Sequence, residues 1–308
     1  MTNHKVIDAH IHLFDLLQGD YHWLEKENPP FWPDKVTINK NFSEKDLTLN
    51  KPIELAGFVH IEAGFDNTQP WREIYWLEAN CKLPFKSVAA IDLTLSNLDF
   101  IHQVDQLLSY RSVVGCRHIL DEQAAELLSQ QTVRANLAYL AKNQLSFDLQ
   151  MPLTDKKAVK LMTELLANTP TLRVIIDHGG WPPYIENIGL SAKTSDLTQA
   201  DNSQAIWQDW LSGLKELSQF EQCAIKCSGW EMIDRKFSTN WQQAVIKSCL
   251  KTFGDNRVML ASNFPLTLFS QSYDSLWKSY NQLGEPFTKD KYTALTHVNA
   301  AHWYHLTI

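Results

Sequence analysis

Two histidines near the start of the chain, His10 and His12, stand two residues apart in the run Val-Ile-Asp-Ala-His-Ile-His-Leu. On a strand, that spacing sends both imidazoles to one face. Two neutral imidazoles make half of a site for Zn²⁺ or a similar ion. With 11 histidines in 308 residues, about 0.4 such pairs arise by chance, so the weight rests on where this pair falls. His178 closes Val-Ile-Ile-Asp-His and runs into Gly-Gly-Trp-Pro-Pro, a setting in which a strand delivers a ligand or an acid/base group to a turn. Strict alternation sends the carboxylate of Asp177 to the opposite face, as a structural residue. Other apolar runs also end in polar residues: Val-His60-Ile-Glu62, Cys-Arg117-His118, Asp148-Leu-Gln150, Lys226-Cys-Ser228-Gly-Trp230 and Ala-Ser-Asn263. Gathered at one end of the strands, these groups form a mouth that is costly to desolvate unless it binds something.

Eight short β-branched runs carry these residues, beginning near Val6, Ala56, Ser87, Val113, Ser146, Arg173, Cys223 and Arg257. Between most of them the apolar spacing is helical, as in Phe100 to Tyr110, Glu122 to Leu140, Lys156 to Leu166 and Trp241 to Phe253, the last stopped by Gly254. Eight alternating strands and helices predict either a closed barrel or an open doubly wound sheet. The first strand lacks the glycine-rich turn of a dinucleotide-binding sheet, which favours the (β/α)8 TIM barrel over one domain, residues 1–308. Two intervals are long: Phe14 to Pro52, after the first strand, and Gly179 to Gln222, after the sixth, which includes a polar stretch from Ser191 to Gln204. Both follow the C-terminal ends of strands, where barrel active sites sit. Trp23, Trp32, Trp181 and Trp230 lie where they would reach that mouth, either as walls for a ring or as packing for the loops.

Composition sets the outer limits. Hydrophobic residues make up 44% and charged residues 20%, an ordinary globular balance. A net charge of -7 leaves no basic footprint for nucleic acid or anionic lipid, so the expected partner is a small molecule. Five cysteines without a CxxC pair read as free thiols of a reducing compartment. No signal-peptide core and no apolar run of membrane-spanning length stand in the sequence, so the expected location is the cytoplasm. A homodimer is allowed, and one sequence shows no interface. His297, His302 and His305 have metal-like spacing, but their helical, surface-prone setting favours a non-functional reading.

Taken in order, Ile-Asp-Ala-His10-Ile-His12, Val-His60-Ile-Glu62-Ala, Gly-Cys-Arg117-His118, Ile-Asp-His178-Gly-Gly-Trp-Pro, Ile-Lys226-Cys-Ser228-Gly, Ala-Ser-Asn263-Phe-Pro and the closing Asn299-Ala with Tyr304 resemble the amidohydrolase-2 branch of the amidohydrolase superfamily. That branch holds lactone hydrolases alongside decarboxylases, and the phrasing around Arg117 and Lys226 is most similar to the lactonases. The resemblance implies a distorted TIM barrel. It implies one divalent ion, Zn²⁺ or Mn²⁺, on His10, His12 and His178, with an acidic residue after strand eight taking a proton from the attacking water. Here that acidic position is Asn263. An amide is no general base and only a weak neutral ligand, so the metal is weakened or absent. The base then falls to His178, His60 or His118, with Arg117 polarising an oxyanion and Lys226, Glu62, Trp23, Trp181 and Trp230 holding substrate. The reaction expected is the opening of a lactone of a small sugar acid or carboxylate. The alternatives are a metal-dependent decarboxylase and a small-molecule-binding barrel without turnover.

Overall fold

A computed structural model describes residues 4–186, 197–283 and 288–308. Eight parallel strands follow one another in sequence order: β1 (His4–Ile11), β2 (Ile53–Ile61), β3 (Phe85–Ala90), β4 (Val113–Arg117), β5 (Ser146–Leu149), β6 (Val174–Ile176), β7 (Cys223–Cys227) and β8 (Val258–Leu260). The ring closes where the Asn263 N–H donates to His10 O at 2.9 Å and the His12 N–H donates to Phe264 O at 2.6 Å. The expected (β/α)8 barrel is therefore the fold, and each expected strand run overlaps one of its strands, with β1, β2 and β3 beginning two or three residues earlier than expected.

The α-helices are α1 (Trp71–Asn80), α2 (Asn97–Leu107), α3 (Ala124–Ser129), α4 (Gln131–Lys142), α5 (Lys156–Asn168), α6 (Leu197–Ser218), α7 (Trp230–Ile233), α8 (Thr239–Phe253), α9 (Tyr273–Asn281), α10 (Lys289–Thr293) and α11 (Asn299–Trp303), with short 3-10 turns and a π-helical turn, Ala294–Val298, between elements. Where periodicity predicts one helix over Glu122 to Leu140, the chain forms α3 and α4. Gln130 between them is extended, at φ -77 and ψ 131, and the Arg134 guanidinium takes up the freed Leu128 carbonyl at 2.8 Å. Part of the polar stretch between β6 and β7 lies outside the described residues, and α6 begins within it. Among the described residues no helix is long and apolar enough to cross a membrane.

Two apolar layers hold the barrel. The larger lies between the strands and the helices. The smaller fills the interior with Ile7, Ala9, Val59, Ile61, Val88, Ile175, Ala224, Met259 and Ala261, and α11 with the residues after it adds Ala300, Trp303, Tyr304 and Leu306. The Asn299 amide donates to Val258 O, at the start of β8, at 2.7 Å. The C-terminal segment therefore plugs the barrel from the N-terminal ends of the strands. That leaves the opposite end for the site.

Candidate active site

Inside–outside alternation explains which polar side chains reach the barrel axis. On β6, Ile175 faces in, while Val174 and Ile176 join the outer layer. Asp177 continues the inward series, contrary to the expectation that it faces away. The strand ends at Ile176, and the turn that follows holds His178 at φ 53 and Gly179 at φ 63. This left-handed turn brings His178 back toward the same centre, so neighbouring residues share one site. Gly229, at φ 68, is required there: a Cβ on it would stand 2.4 Å from His178 Nδ1. In β1 the pairing register shifts between Asp8 and Ile11, and His10 and His12 follow Ala9 toward the interior.

The three imidazoles meet as expected. His10 lies 4.6 Å from His178 and 5.0 Å from His12, ring centre to ring centre. His12 Nδ1 faces two carbonyl oxygens, Ile61 O at 2.9 Å and Glu62 O at 3.1 Å. It must therefore carry the proton, which leaves Nε2 as the lone pair. His10 Nδ1 has Asp177 Oδ1 at 3.3 Å and Lys226 Nζ at 3.4 Å. Lys226 already faces two carboxylates, so Asp177 is the partner that fixes the tautomer, and His10 Nε2 is buried without a hydrogen-bond partner among the described residues. His178 Nδ1 meets Ser228 Oγ at 3.1 Å. Burial, the largest influence on each ring, pushes the pKa of His10 and His12 well below the usual histidine value and brings His178 down to about 3. All three are neutral at pH 7.

Beneath the histidines lies a buried ionic network. Lys226 Nζ stands 2.5 Å from Asp148 Oδ2 and 3.0 Å from Asp177 Oδ1, and the Tyr304 hydroxyl donates to Asp148 at 2.8 Å. Burial raises the Asp177 pKa, but Lys226 and His10 outweigh it and hold the group well below the carboxylate range. For Asp148, burial prevails over Lys226 and lifts the group to about 6. Lys226 is fully enclosed and absent from the cavity lining. It lies beneath the cavity and underpins the site.

Above the network opens a cavity of about 570 Å³. Its lining includes His12, Glu62, Arg117, Asp121, Gln150, His178 and Asn263, with Trp23, Trp32 and Trp181 as aromatic walls. The Trp23 indole is pinned by Ala63 O at 2.7 Å, and that of Trp181 by Asp121 Oδ1 at 2.9 Å. Arg117 is fully engaged: Nε donates to Glu62 Oε1 at 2.8 Å, one terminal nitrogen to Gln150 Oε1 at 3.1 Å, and Asp177 Oδ2 lies 3.6 Å away. Asn263, at φ 58, turns its Nδ2 to Glu231 Oε1 at 2.6 Å, and its Oδ1 is buried without a hydrogen-bond partner among the described residues. Burial pushes Glu231 up to about 7.

Three residues singled out in the sequence lie away from the cavity. His60 faces outward, between Val59 and Ile61 of the interior, and pairs with Glu73 of α1 at 3.0 Å. His118 Nδ1 is held against Ile91 O at 3.1 Å. Trp230 is fully buried and donates to the Tyr280 hydroxyl at 2.6 Å. Asp121 and Glu231 were not singled out. Both follow strand ends by several residues, in Ile-Leu-Asp-Glu and Gly-Trp-Glu, where no alternation rule applies. The C-terminal histidines form no cluster at the site, and His305 pairs with Arg173.

Histidines and charged residues converging on the C-terminal mouth of an eight-stranded barrel are matched by a known family. A model described as amidohydrolase covers residues 7–306. The chain belongs to that family, the amidohydrolase-2 branch. It is 27% identical over 316 residues to the protein y4mH of Sinorhizobium fredii, covering 99% of each chain. Among solved structures, an amidohydrolase from Burkholderia multivorans with bound zinc superposes with a TM-score of 0.75 at 18% identity, covering 98% of this chain and 99% of that one. A candidate 2-pyrone-4,6-dicarboxylic acid hydrolase from Pseudomonas putida gives 0.67 at 17%, covering 99% and 98%. A 2,6-dihydroxybenzoate decarboxylase gives 0.58 at 12%, covering 99% and 100%. At such identities the structural likeness speaks for the fold alone.

The donor set fits a divalent ion. His10, Asp177 and His178 each bring a ligand atom within 4.8 Å of one another, but Asp177 is already shared by Lys226 and Arg117. An ion at its oxygens would face two cations. The imidazole nitrogens, with Asp177 behind His10 as the orienting carboxylate, are the better ligands.

Proposed function

We propose that this protein hydrolyses a lactone of a small polyhydroxylated acid whose ring carries no charge. The observation that carries the reading is the convergence of His12 and His178 on the floor of a tryptophan-walled cavity, with His10 buried directly against both. Flat aromatic walls suit the C–H face of a sugar ring, and Glu62, Asp121 and Gln150 offer hydrogen-bond acceptors to its hydroxyls.

Charge narrows the substrate. Arg117 is neutralised by Glu62 and Asp177, while Asp121 accepts from Trp181 Nε1 and Gln150 Nε2 and, among the described residues, forms no ion pair, with Arg117 the cation whose field reaches it. Accepting from two donors marks it as ionised, although burial raises its pKa. A lining with more carboxylate than free cation repels a carboxylated ring. Decarboxylation, which needs such a substrate, is the weaker reading for the same reason.

In the proposed step, neutral His178 takes the proton of the attacking water, and Arg117, exchanging its bond to Gln150 for one to the carbonyl oxygen, stabilises the negative charge that develops there. His10, His12 and His178 would hold a divalent ion, with Asn263 Oδ1 as a neutral fourth donor. Such an ion supplies a bound water of lowered pKa and polarises the carbonyl. The free lone pair of His178 serves either the ion or the proton. With the ion held, Asp121 is the carboxylate of the same cavity placed to accept the proton.

The test is a panel of uncharged aldonolactones and ring-carboxylated lactones, followed by acid release, with CO₂ release as the control. The expected result is kcat/KM favouring the uncharged rings by about tenfold or more, worth roughly 1.4 kcal/mol. Preference for carboxylated rings or release of CO₂ contradicts the reading. Thermal stabilisation by a lactone without product would instead mark a binding protein.

A further inference from the structure

Two of the buried atoms around the histidine centre that lack a hydrogen-bond partner among the described residues are His10 Nε2 and Asn263 Oδ1; the ion-paired Asp177 oxygens and Glu231 Oε2 are others. His10 and Asn263 are neighbours, since the Asn263 N–H donates to His10 O at 2.9 Å. Both orphaned atoms are hydrogen-bond acceptors once Asp177 holds the proton on His10 Nδ1. Acceptors cannot satisfy each other. They are satisfied together by something electropositive between them, a divalent cation or the O–H groups of a water. The arrangement survives only while the Asn263 amide keeps its carbonyl end inward. Turned over, the amide would offer an N–H to the imidazole lone pair and close the site on itself.

Glu231 decides which way round the amide sits. Its Oε1 accepts from Asn263 Nδ2 at 2.6 Å, and while Glu231 is ionised the opposite orientation would set a carbonyl oxygen against the carboxylate. The carboxylate is itself fixed. It lies on the single turn of α7, it is enclosed, and its backbone carbonyl accepts from Arg235, which pairs with Asp34 at 2.8 Å and stacks on Phe269. We propose that Glu231 is the positioning residue of this centre, holding the Asn263 carbonyl inward so that the floor presents acceptors only and receives a divalent cation. The inference rests on the same histidine centre as the proposed hydrolysis, but not on the identity of the substrate.

The experiment is titration calorimetry of the full-length protein, stripped with chelator and titrated with Zn²⁺, with thermal melts to confirm folding. Loss of a residue that orients a ligand typically weakens metal binding by about 10–100-fold. Glu231→Ala is expected to weaken Zn²⁺ binding by at least about tenfold, and Glu231→Gln, whose carbonyl can still accept from Nδ2, to recover most of that loss. Asn263→Asp alone sets two carboxylates against each other. The exchange Asn263→Asp with Glu231→Gln, which reverses the donor and acceptor, is expected to bind Zn²⁺ at least as tightly as the natural protein. Unchanged affinity in Glu231→Ala, no gain in the exchanged pair over Asn263→Asp alone, or no Zn²⁺ binding by the natural protein overturns the proposal. Should Glu231→Ala fail to fold, the exchanged pair and Glu231→Gln decide it. Zn²⁺ binding that follows this pattern without any lactone turnover would sink the hydrolysis reading alone.

Discussion

Replacing Lys226 by Met distinguishes an underpinning role from contact with substrate. The ammonium stands 2.5 Å from Asp148 and 3.0 Å from Asp177, and all three side chains are fully buried. At an effective dielectric of about 20, those distances correspond to gross attractions of roughly 7 and 6 kcal/mol, most of which offsets desolvation. Removing one partner of a buried pair costs about 3–5 kcal/mol, because the remaining charge is left uncompensated. The expected result in urea denaturation is a loss of that size, with KM of the surviving folded enzyme close to its natural value. Adding Asp148→Asn removes one of the stranded carboxylates and recovers about half of the loss. The pH dependence follows in sign. In the single variant Asp148, which burial already lifts to about 6, loses its cation and has a folded pKa above its unfolded one, so the folded state binds more protons and stability rises as pH falls from about 7 toward 5. A variant with unchanged stability and a raised KM would refute this assignment and return Lys226 to the substrate.

Asp121→Asn removes the unpaired negative charge of the cavity and should raise kcat/KM for carboxylated relative to uncharged lactones by about fivefold or more; an unchanged ratio would mean that Asp121 sets no charge selectivity. Gly229→Ala places a Cβ against the His178 ring at a backbone φ of 68. The cost should be about 1–3 kcal/mol in stability, with kcat at least about tenfold lower because the ring is displaced; natural kcat in a folded variant would contradict the close approach. Asp66 accepts from Thr68, Gln69 and Arg72; burial opposes ionisation, but these bonds prevail and bring its pKa down to about 2. Its stabilisation is present above the unfolded carboxylate value and lost as pH falls toward 2. Asp66→Ala should therefore cost about 1–2 kcal/mol at neutral pH and progressively less between pH 4 and 2, and a pH-independent difference would rule out the charged hydrogen bonds as its source.

The strands were legible because the runs at Val6, Ala56, Ser87 and their successors are short, branched and regularly spaced, and the helices because their apolar positions recur at helical intervals. The histidine centre was legible for a related reason: His10, His12 and His178 sit at the ends of such runs. Alternation failed where the backbone leaves the strand. Asp177 and His178 share the site because the turn after Ile176 has positive φ, which no pattern of apolar residues encodes. His60 faces Glu73 because Val59 and Ile61, its strand neighbours, both point inward. Lys226 and Arg117 carry the charges of substrate-binding residues, yet both are spent on partners, Asp148 and Glu62, from other strand ends. Glu231 was silent in the sequence because its importance lies in a hydrogen bond to Asn263, 32 positions away.

The most direct test is kcat/KM for an uncharged aldonolactone, measured side by side for the natural protein and His178→Ala. Turnover by the natural protein with a loss of about 100-fold or more in the variant is the predicted result, the lower end of the range for a lost acid/base group. No turnover by the natural protein above the buffer rate, or a variant of near-natural activity, would contradict the histidine centre as the seat of lactone hydrolysis.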